Sequence, residues 1–317
     1  VQNTQNRTFS IDFVKPLSFV IITYNRPADM LALAKNIAQL DQASDLLEEV
    51  IVVNNCSTAD YAEVEQFMKE ANHIPFCYFL AEENLGVSRG RNFAIRQGRA
   101  AILIMIDDDA EMLNRDCLLL LLKEFDRGRP QWPRAVVSFK VLYASTRTLQ
   151  LSAFPHKHIA ERRDLEAFET YYFAGGAHAI LRTSLDRVGL YPEDFFYGME
   201  EYDLSYRLLD AGYSISYCAD IMMLHKESPL GRAPASDKLQ MMWVNKSKVA
   251  WRYLPVRYFV STALMWSLAF LRTSRLHLPG FIAGWRKICT IPLQETRRPI
   301  GKATRAYLSS VEARLWY

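Results

Sequence analysis

The sequence predicts an α/β fold, a sheet covered by helices on both faces, followed by a basic helical extension at the C-terminus. Three observations predict it. Short β-branched runs alternate with helix-length segments through the first half of the chain. Polar clusters stand at the carboxyl ends of three of those runs. Residues 246–317 carry 13 Lys/Arg against only Glu295 and Glu312, although the whole 317-residue chain is only +3, so the body before them is acidic. With 50% apolar and 12% aromatic residues, disorder is excluded as the main description.

In chain order, Leu17–Thr23, Glu49–Asn54, Phe76–Leu80 and Ala101–Ile106 read as strands, being short, apolar and bounded by polar turns. Between them Pro27–Leu40, Asp60–Ala71 and Ser88–Gly98 are long enough for helices and open on Pro, Asp or Ser. Strands separated in this way argue for right-handed βαβ units and a parallel arrangement, with ligands bound beyond the carboxyl ends of the strands. A strand at Ala135–Leu142, a turn at Gly175-Gly176 and an acidic helix from Glu200 follow. The loop Ser228–Asp237 and the change of charge place a boundary near Lys238–Lys246.

Cys56, Cys77, Cys117, Cys218 and Cys289 are scattered and never form a CxxC pair, which implies neither a disulfide framework nor a zinc site and fits a cytoplasmic setting. The first residues show no basic start followed by an apolar run, so no signal peptide is expected. The longest apolar stretch, Tyr258–Leu271, falls short of the roughly 20 residues that span a bilayer. Trp243, Trp251, Tyr253, Tyr258 and Trp266 are interleaved with Lys246, Lys248, Arg252 and Arg257, a mixture suited to an anionic membrane surface. Peripheral association with the inner face of the cell membrane is expected; the alternative is a set of ordinary core helices. The basic tail carries no recognised nucleic-acid motif, and no nucleic-acid partner is expected.

Asp107-Asp108-Asp109 directly follows the apolar run AILIMI. Three adjacent carboxylates repel one another unless a cation sits among them, and hard divalent ions take such oxygen ligands. A helix cap facing water is the alternative.

With FVIITYNRP opening the domain, VVNNCSTAD after the second strand, ENLGVSRGRN before the fourth, IDDD after it and GMEEYDLSYRL beyond, the chain resembles the inverting glycosyltransferases of family two. Together with His225 these motifs cover about residues 16–228. The resemblance implies the GT-A fold, a Rossmann-like mixed sheet flanked by helices. It implies a catalytic domain over residues 16–237, with a nucleotide-binding half (16–110) and an acceptor half (111–237), between an N-terminal extension (1–15) and the basic, aromatic helical region (238–317). The implied activity is inverting transfer from a nucleotide-diphosphate sugar, UDP-linked first and dTDP- or GDP-linked as alternatives, with Mn²⁺ or Mg²⁺. The acceptor would be a hydroxyl of a glycan or lipid-linked saccharide in cell-surface polysaccharide synthesis. A non-catalytic nucleotide- or glycan-binding protein that retains the fold is the alternative.

Carried over position by position, Thr23, Tyr24, Asn25, Arg26, Asn54, Asn55, Ser57, Asn84, Gly86, Arg91, Asp107 and Asp108 would hold the donor. Asn54 stands where the family usually has an Asp that accepts from the pyrimidine N3–H, and an Asn carbonyl can accept the same bond. Arg89 or Arg91 could clamp phosphate, with Gly86 and Gly90 letting backbone approach the ligand. Asp107 and Asp109, completed by His225, would hold the metal. Glu201, or its neighbour Glu200, would deprotonate the acceptor hydroxyl, although acids in a first helical turn also arise from the helix dipole. Gly175, Gly176, His178 and Asp203 would line the acceptor pocket.

Overall fold

The apolar runs of the first half enter a core on either side, which is why they lack the in-and-out polarity of a half-exposed strand. The computed structural model describes residues 14–315 apart from 130, 232 and 233, so the expected extension 1–15 lies almost wholly outside the described residues. Nine strands form one sheet: β1 (Leu17–Thr23), β2 (Leu47–Asn54), β3 (Phe76–Leu80), β4 (Ile102–Ile106), β5 (Ala110–Met112), β6 (Arg134–Tyr143), β7 (Ala167–Thr170), β8 (Ala177–Leu181) and β9 (Ser214–His225). Their order is β3-β2-β1-β4-β8-β6-β9-β5, with β7 also on β9. The first four strands are parallel, as βαβ units require. β8 runs antiparallel to β4 and β6, and β5 and β7 antiparallel to β9, so the sheet as a whole is mixed and Rossmann-like.

Twelve helices flank it among the described residues: α1 (Pro27–Ile37), α2 (Ala43–Leu46), α3 (Ala62–Glu70), α4 (Gly86–Gln97), α5 (Cys117–Asp126), α6 (Ile159–Arg162), α7 (Arg182–Val188), α8 (Glu200–Asp210), α9 (Ala235–Tyr253), α10 (Val256–Thr273), α11 (Leu278–Gln294) and α12 (Lys302–Ser310). Successive strand residues point to opposite faces. Phe19, Ile21, Val50 and Val52 therefore join Leu33 and Ile37 of α1 and Val64 of α3 in one core. Val20, Ile51, Val53 and Leu103 join Ile95 of α4, Leu204 and Leu208 of α8 and Val249 of α9 in the other. Each such fully buried aliphatic side chain contributes ~1.5–3 kcal/mol.

The C-terminal region is packed onto the second core. One helix, α9, runs unbroken through the charge change at residues 238–246, and its Val249, Ala250 and Tyr253 share a core with the sheet. Trp243 is fully buried between α10 and α11, stacked on Phe270 and Phe281. Part of the set assigned from sequence to a lipid surface is accordingly engaged inside the protein: Trp243, Tyr253 and Tyr258 are buried, Lys248 pairs with Asp194 at 2.6 Å, and Arg252 pairs with Asp203 at 2.9 Å. The core-helix alternative holds for these residues, because the second face of the sheet still needed cover. No helix among the described residues is long and apolar enough to cross a membrane, and the five cysteines are free thiols.

Candidate functional site

Strand register brings the acidic run to its partners. β4 is buried along its whole length, so Asp107-Asp108-Asp109 emerges where its backbone leaves the core. β8 pairs antiparallel with β4, opposing Ala177 to Ile106, which sets Gly176 beside Asp107. A Cβ on Gly176 would collide with the Asp107 carboxylate, so glycine is needed there for the carboxylate to occupy its place. β5 opposes Ala110 to His225 on β9, bringing that imidazole to the acidic run from a position more than a hundred residues away in sequence. Asp107, Asp109 and His225 each offer one ligand atom, all within 4.8 Å of one another, the one such cluster among the described residues.

The three aspartates differ in environment. Asp108 accepts from Thr23 Oγ1 at 2.8 Å and from Arg26 Nη1 at 2.6 Å. Burial outweighs those bonds and pushes its carboxyl up to about 6. Its bonds to Thr23, Tyr24 and Arg26 tie the first loop to the acidic run. Asp109 is also buried, which works against its charge, but a bond from His225, the charge of Arg26 and the Ser228 amide at 2.8 Å hold it at about 2. Asp107 is the most exposed of the three and faces the cleft. His225 Nδ1 is hydrogen-bonded to Gln150 Oε1 at 2.9 Å, which turns Nε2 towards the acidic side, 3.4 Å from Asp109 Oδ1.

The strand-end loops wall a cleft of about 650 Å³ lined by Tyr24, Asn25, Arg26, Asn55, Asn84, Gly86 and Arg91, with all three aspartates and His225 at its floor. Asn25 Oδ1 accepts from the amides of Thr58 and Ala59, and its own amide donates to Ser57 Oγ, tying the first loop to the second. Asn55 Nδ2 donates to Asn84 Oδ1, tying the second to the third. Several nominated residues shape the walls without facing the cavity. Thr23 is buried against Asp108, and Ser57 is used between loops. Asn54 is buried, its amide donating to Tyr78 Oη and its carbonyl accepting from the Ser57 amide. Arg89 is exposed and paired with Glu83, whereas Arg91 is buried, 2.8 Å from Glu200 and 3.5 Å from Asp107. Gly86 and Gly90 make room for neighbouring protein: a Cβ on the first would meet the Phe196 backbone and ring, and one on the second the Ile22 side chain.

A second cavity of about 240 Å³ adjoins the first and shares Asp107 and His225 with it. Glu201, Gly175, Gly176, Tyr172, Tyr202 and Gln150 line it, with Tyr172 and Tyr202 stacked at 4.7 Å. The two adjacent acids are separated here: Glu200 turns inward to Arg91, while Glu201 faces the cavity. Burial and the neighbouring Glu200 charge raise the Glu201 carboxyl well above the ordinary carboxylate range, against the pull of Arg91 and Lys246. His178 does not line this pocket. It is fully buried, its ring nitrogens bonded to the Ala174 carbonyl and the Tyr191 hydroxyl, and burial lowers its basicity. Asp203 also turns away, since it begins the inward side of α8 and is held by Arg207, Arg252 and the Tyr253 hydroxyl.

Sequence reasoning missed Gln150, Tyr172, Phe196, Tyr197 and the α9 residues Lys238, Met241 and Met242, all of which line one cavity or the other. Only the aromatic-Gly turn before Glu200 carried a local signal; the rest arrive through long-range packing.

The family model described as Glycosyl transferase family 2 matches residues 18–189, more than half of the chain. An uncharacterized protein of Haemophilus influenzae is 29% identical over 191 residues, covering 60% of this chain and 96% of that protein. The structure is similar to that of S. aureus TarS 1–349 in complex with UDP, with TM-score 0.61 and 18% identity, covering 87% of this chain and 80% of that one. It is also similar to the mannosyltransferase PcManGT from Pyrobaculum calidifontis in complex with GDP-Man and Mn²⁺, with TM-score 0.58 and 18% identity over 94% and 80% of the two chains.

Proposed function

The chain belongs to glycosyl transferase family 2, and from that membership we propose that it is a metal-dependent, inverting enzyme that moves a sugar from a nucleotide diphosphate to an acceptor hydroxyl in the smaller cavity. The observation that carries this reading is that the two cavities meet at Asp107 and His225, with Glu201 in the smaller one alone.

In this reading the nucleotide occupies the larger cleft; that TarS forms a complex with UDP and PcManGT one with GDP-Man supports a nucleotide ligand. Arg91 faces the diphosphate with its orientation fixed by Glu200 and Asp107. The residues fit a divalent cation: two carboxylates and an imidazole lie within 4.8 Å, and the Gln150 bond to Nδ1 orients Nε2 towards them. Asp107, Asp109 and His225 would hold Mn²⁺ or Mg²⁺, which when bound supplies Lewis-acid stabilisation to the diphosphate.

Inversion needs a base behind the anomeric carbon, on the acceptor's side. Glu201 holds that place. Its raised pKa makes it a stronger proton acceptor than an exposed carboxylate, and the stacked Tyr172 and Tyr202 offer a flat face to a sugar ring. We assign the acceptor to a glycan or a lipid-linked saccharide and place the enzyme at a membrane surface.

The test is incubation with UDP-, GDP- and dTDP-sugars, reading released nucleotide diphosphate by mass spectrometry. Turnover should require Mn²⁺ or Mg²⁺ and stop in EDTA, and Glu201→Gln should lower it about 10²–10⁴-fold while nucleotide binding persists. Full turnover in EDTA removes the metal from the mechanism, and a normal rate for the variant moves the base elsewhere. Binding without turnover under every condition would favour a non-catalytic binding protein.

A further inference from the structure

We propose that the outward side of the α10–α11 hairpin is a docking surface for an anionic lipid bilayer. This rests on the placement at a membrane made above and names the surface responsible, which differs from the aromatic set nominated by sequence.

Nine of the sixteen strongly exposed large apolar side chains among the described residues fall within residues 256–293. On α10, Val256, Val260, Leu264 and Leu268 recur every four residues and are 47–59% exposed, so they form one stripe along the helix. Leu278 and Ile282 continue the same spacing on α11. These residues are not remnants of an unfinished core. The inner side of α10 is already filled by Tyr258, Ala263 and Phe270, and α11 already buries Gly284, Ile288 and Ile291. A contiguous exposed apolar face of this kind marks a binding surface.

The charge around the stripe identifies what it meets. Residues 256–294 contain no Asp or Glu, while Arg257 stands at the start of α10, Arg272 and Arg275 at the hairpin turn, and Arg286 and Lys287 on α11. Among the described residues none of these five pairs with a carboxylate. Aliphatic chains that dip into the acyl boundary, with arginines that remain among headgroups, match an amphipathic helix lying in the plane of an anionic membrane. Protein interfaces concentrate aromatic residues at their centre, whereas here the aromatic rings are on the inner side and the outward stripe is Val, Leu and Ile.

Docking here would also set the position of the cleft. Trp243 of α9 stacks on Phe270 and Phe281 of the hairpin, and the preceding Met241 and Met242 line the two cavities. The membrane face and the cleft wall therefore move as one body.

The test uses the full chain in sedimentation with large vesicles of phosphatidylcholine alone or with one quarter phosphatidylglycerol. Binding to the mixed vesicles should exceed binding to neutral ones and fall with salt. Leu264→Glu combined with Leu268→Glu should abolish it with the melting temperature and nucleotide release unchanged. Arg272→Gln with Arg275→Gln should weaken it by about five-fold per charge. If mixed vesicles bind and the leucine variant binds as strongly as the unaltered protein, this surface is wrong although membrane association stands. If neither vesicle sediments the protein, both ideas fail. A dimer in light scattering that the leucine variant dissolves, without vesicle binding, assigns the stripe to a second copy of the chain and overturns the proposal.

Discussion

Glu200 and Glu201 show how adjacent identical side chains acquire different chemistry. Helical geometry points them about 100° apart, so one reaches Arg91 inside and the other reaches the cavity. Glu201 accepts a proton only when ionised, and its pKa lies above the ordinary carboxylate value; kcat/KM should therefore rise with pH through the neutral range before levelling. Lys246 contributes to that balance: burial lowers its pKa to about 7, while its charge opposes the rise at Glu201. Lys246→Met should move the rising limb of the pH profile to higher pH, and an unmoved limb would show that the lysine does not tune the base. At the candidate metal cluster, Gln150→Ala should weaken Mn²⁺ binding about 10–100-fold by releasing the His225 ring, measurable by calorimetry in the presence of nucleotide. Neither Lys246 nor Gln150 could be chosen from the sequence, because nothing near them in the chain signals their neighbours. Asp107 and Asp109 could, because three carboxylates ending a buried strand are a rare local event, and Glu201 could through the family likeness of GMEEYDLSYRL.

At the scale of elements, the antiparallel insertion of β8 beside β4 decides the geometry of the acidic run. Gly176→Ala should leave the fold intact, since the atom it displaces is the end of a partly exposed side chain, but it should drive Asp107 off its position and reduce metal and nucleotide affinity together. Equal affinity by calorimetry would mean that Asp107 is not needed where it lies. Gly284 of α11 shows the opposite case, for there a Cβ would press into the buried Trp243 ring. Gly284→Ala should cost ~1–3 kcal/mol in denaturant unfolding, as overpacking of a filled core does. The parallel strands β1 to β4 were legible because apolar runs of this length with helical spacers have few other folds available. β5 and β7, three and four residues long, carry too little pattern to be read, and they exist through pairing with β9.

For the whole molecule, the C-terminal helices are joined to the sheet by ion pairs as well as apolar contact. Asp203 holds both Arg207 of α8 and Arg252 of α9, and is itself only 3% exposed. Asp203→Ala would leave two cations short of a partner at a buried junction, and unfolding should show a loss of roughly 3–5 kcal/mol. A loss under 1 kcal/mol would mean that Asp194 and Glu295 compensate Arg252 by themselves.

The linear chain alone determined the α/β class, the parallel half of the sheet, the location of the acidic run and the family likeness, since each depends on residues close together along the backbone. The family likeness already pointed to His225 beside the acidic run; only the tertiary structure decided that Gln150 holds its ring, that His178 and Asp203 are internal, that Asn54 is engaged elsewhere and that the α10–α11 stripe remains exposed. Those outcomes depend on which distant segment fills the space beside a side chain, and hydrophobic periodicity does not encode that choice.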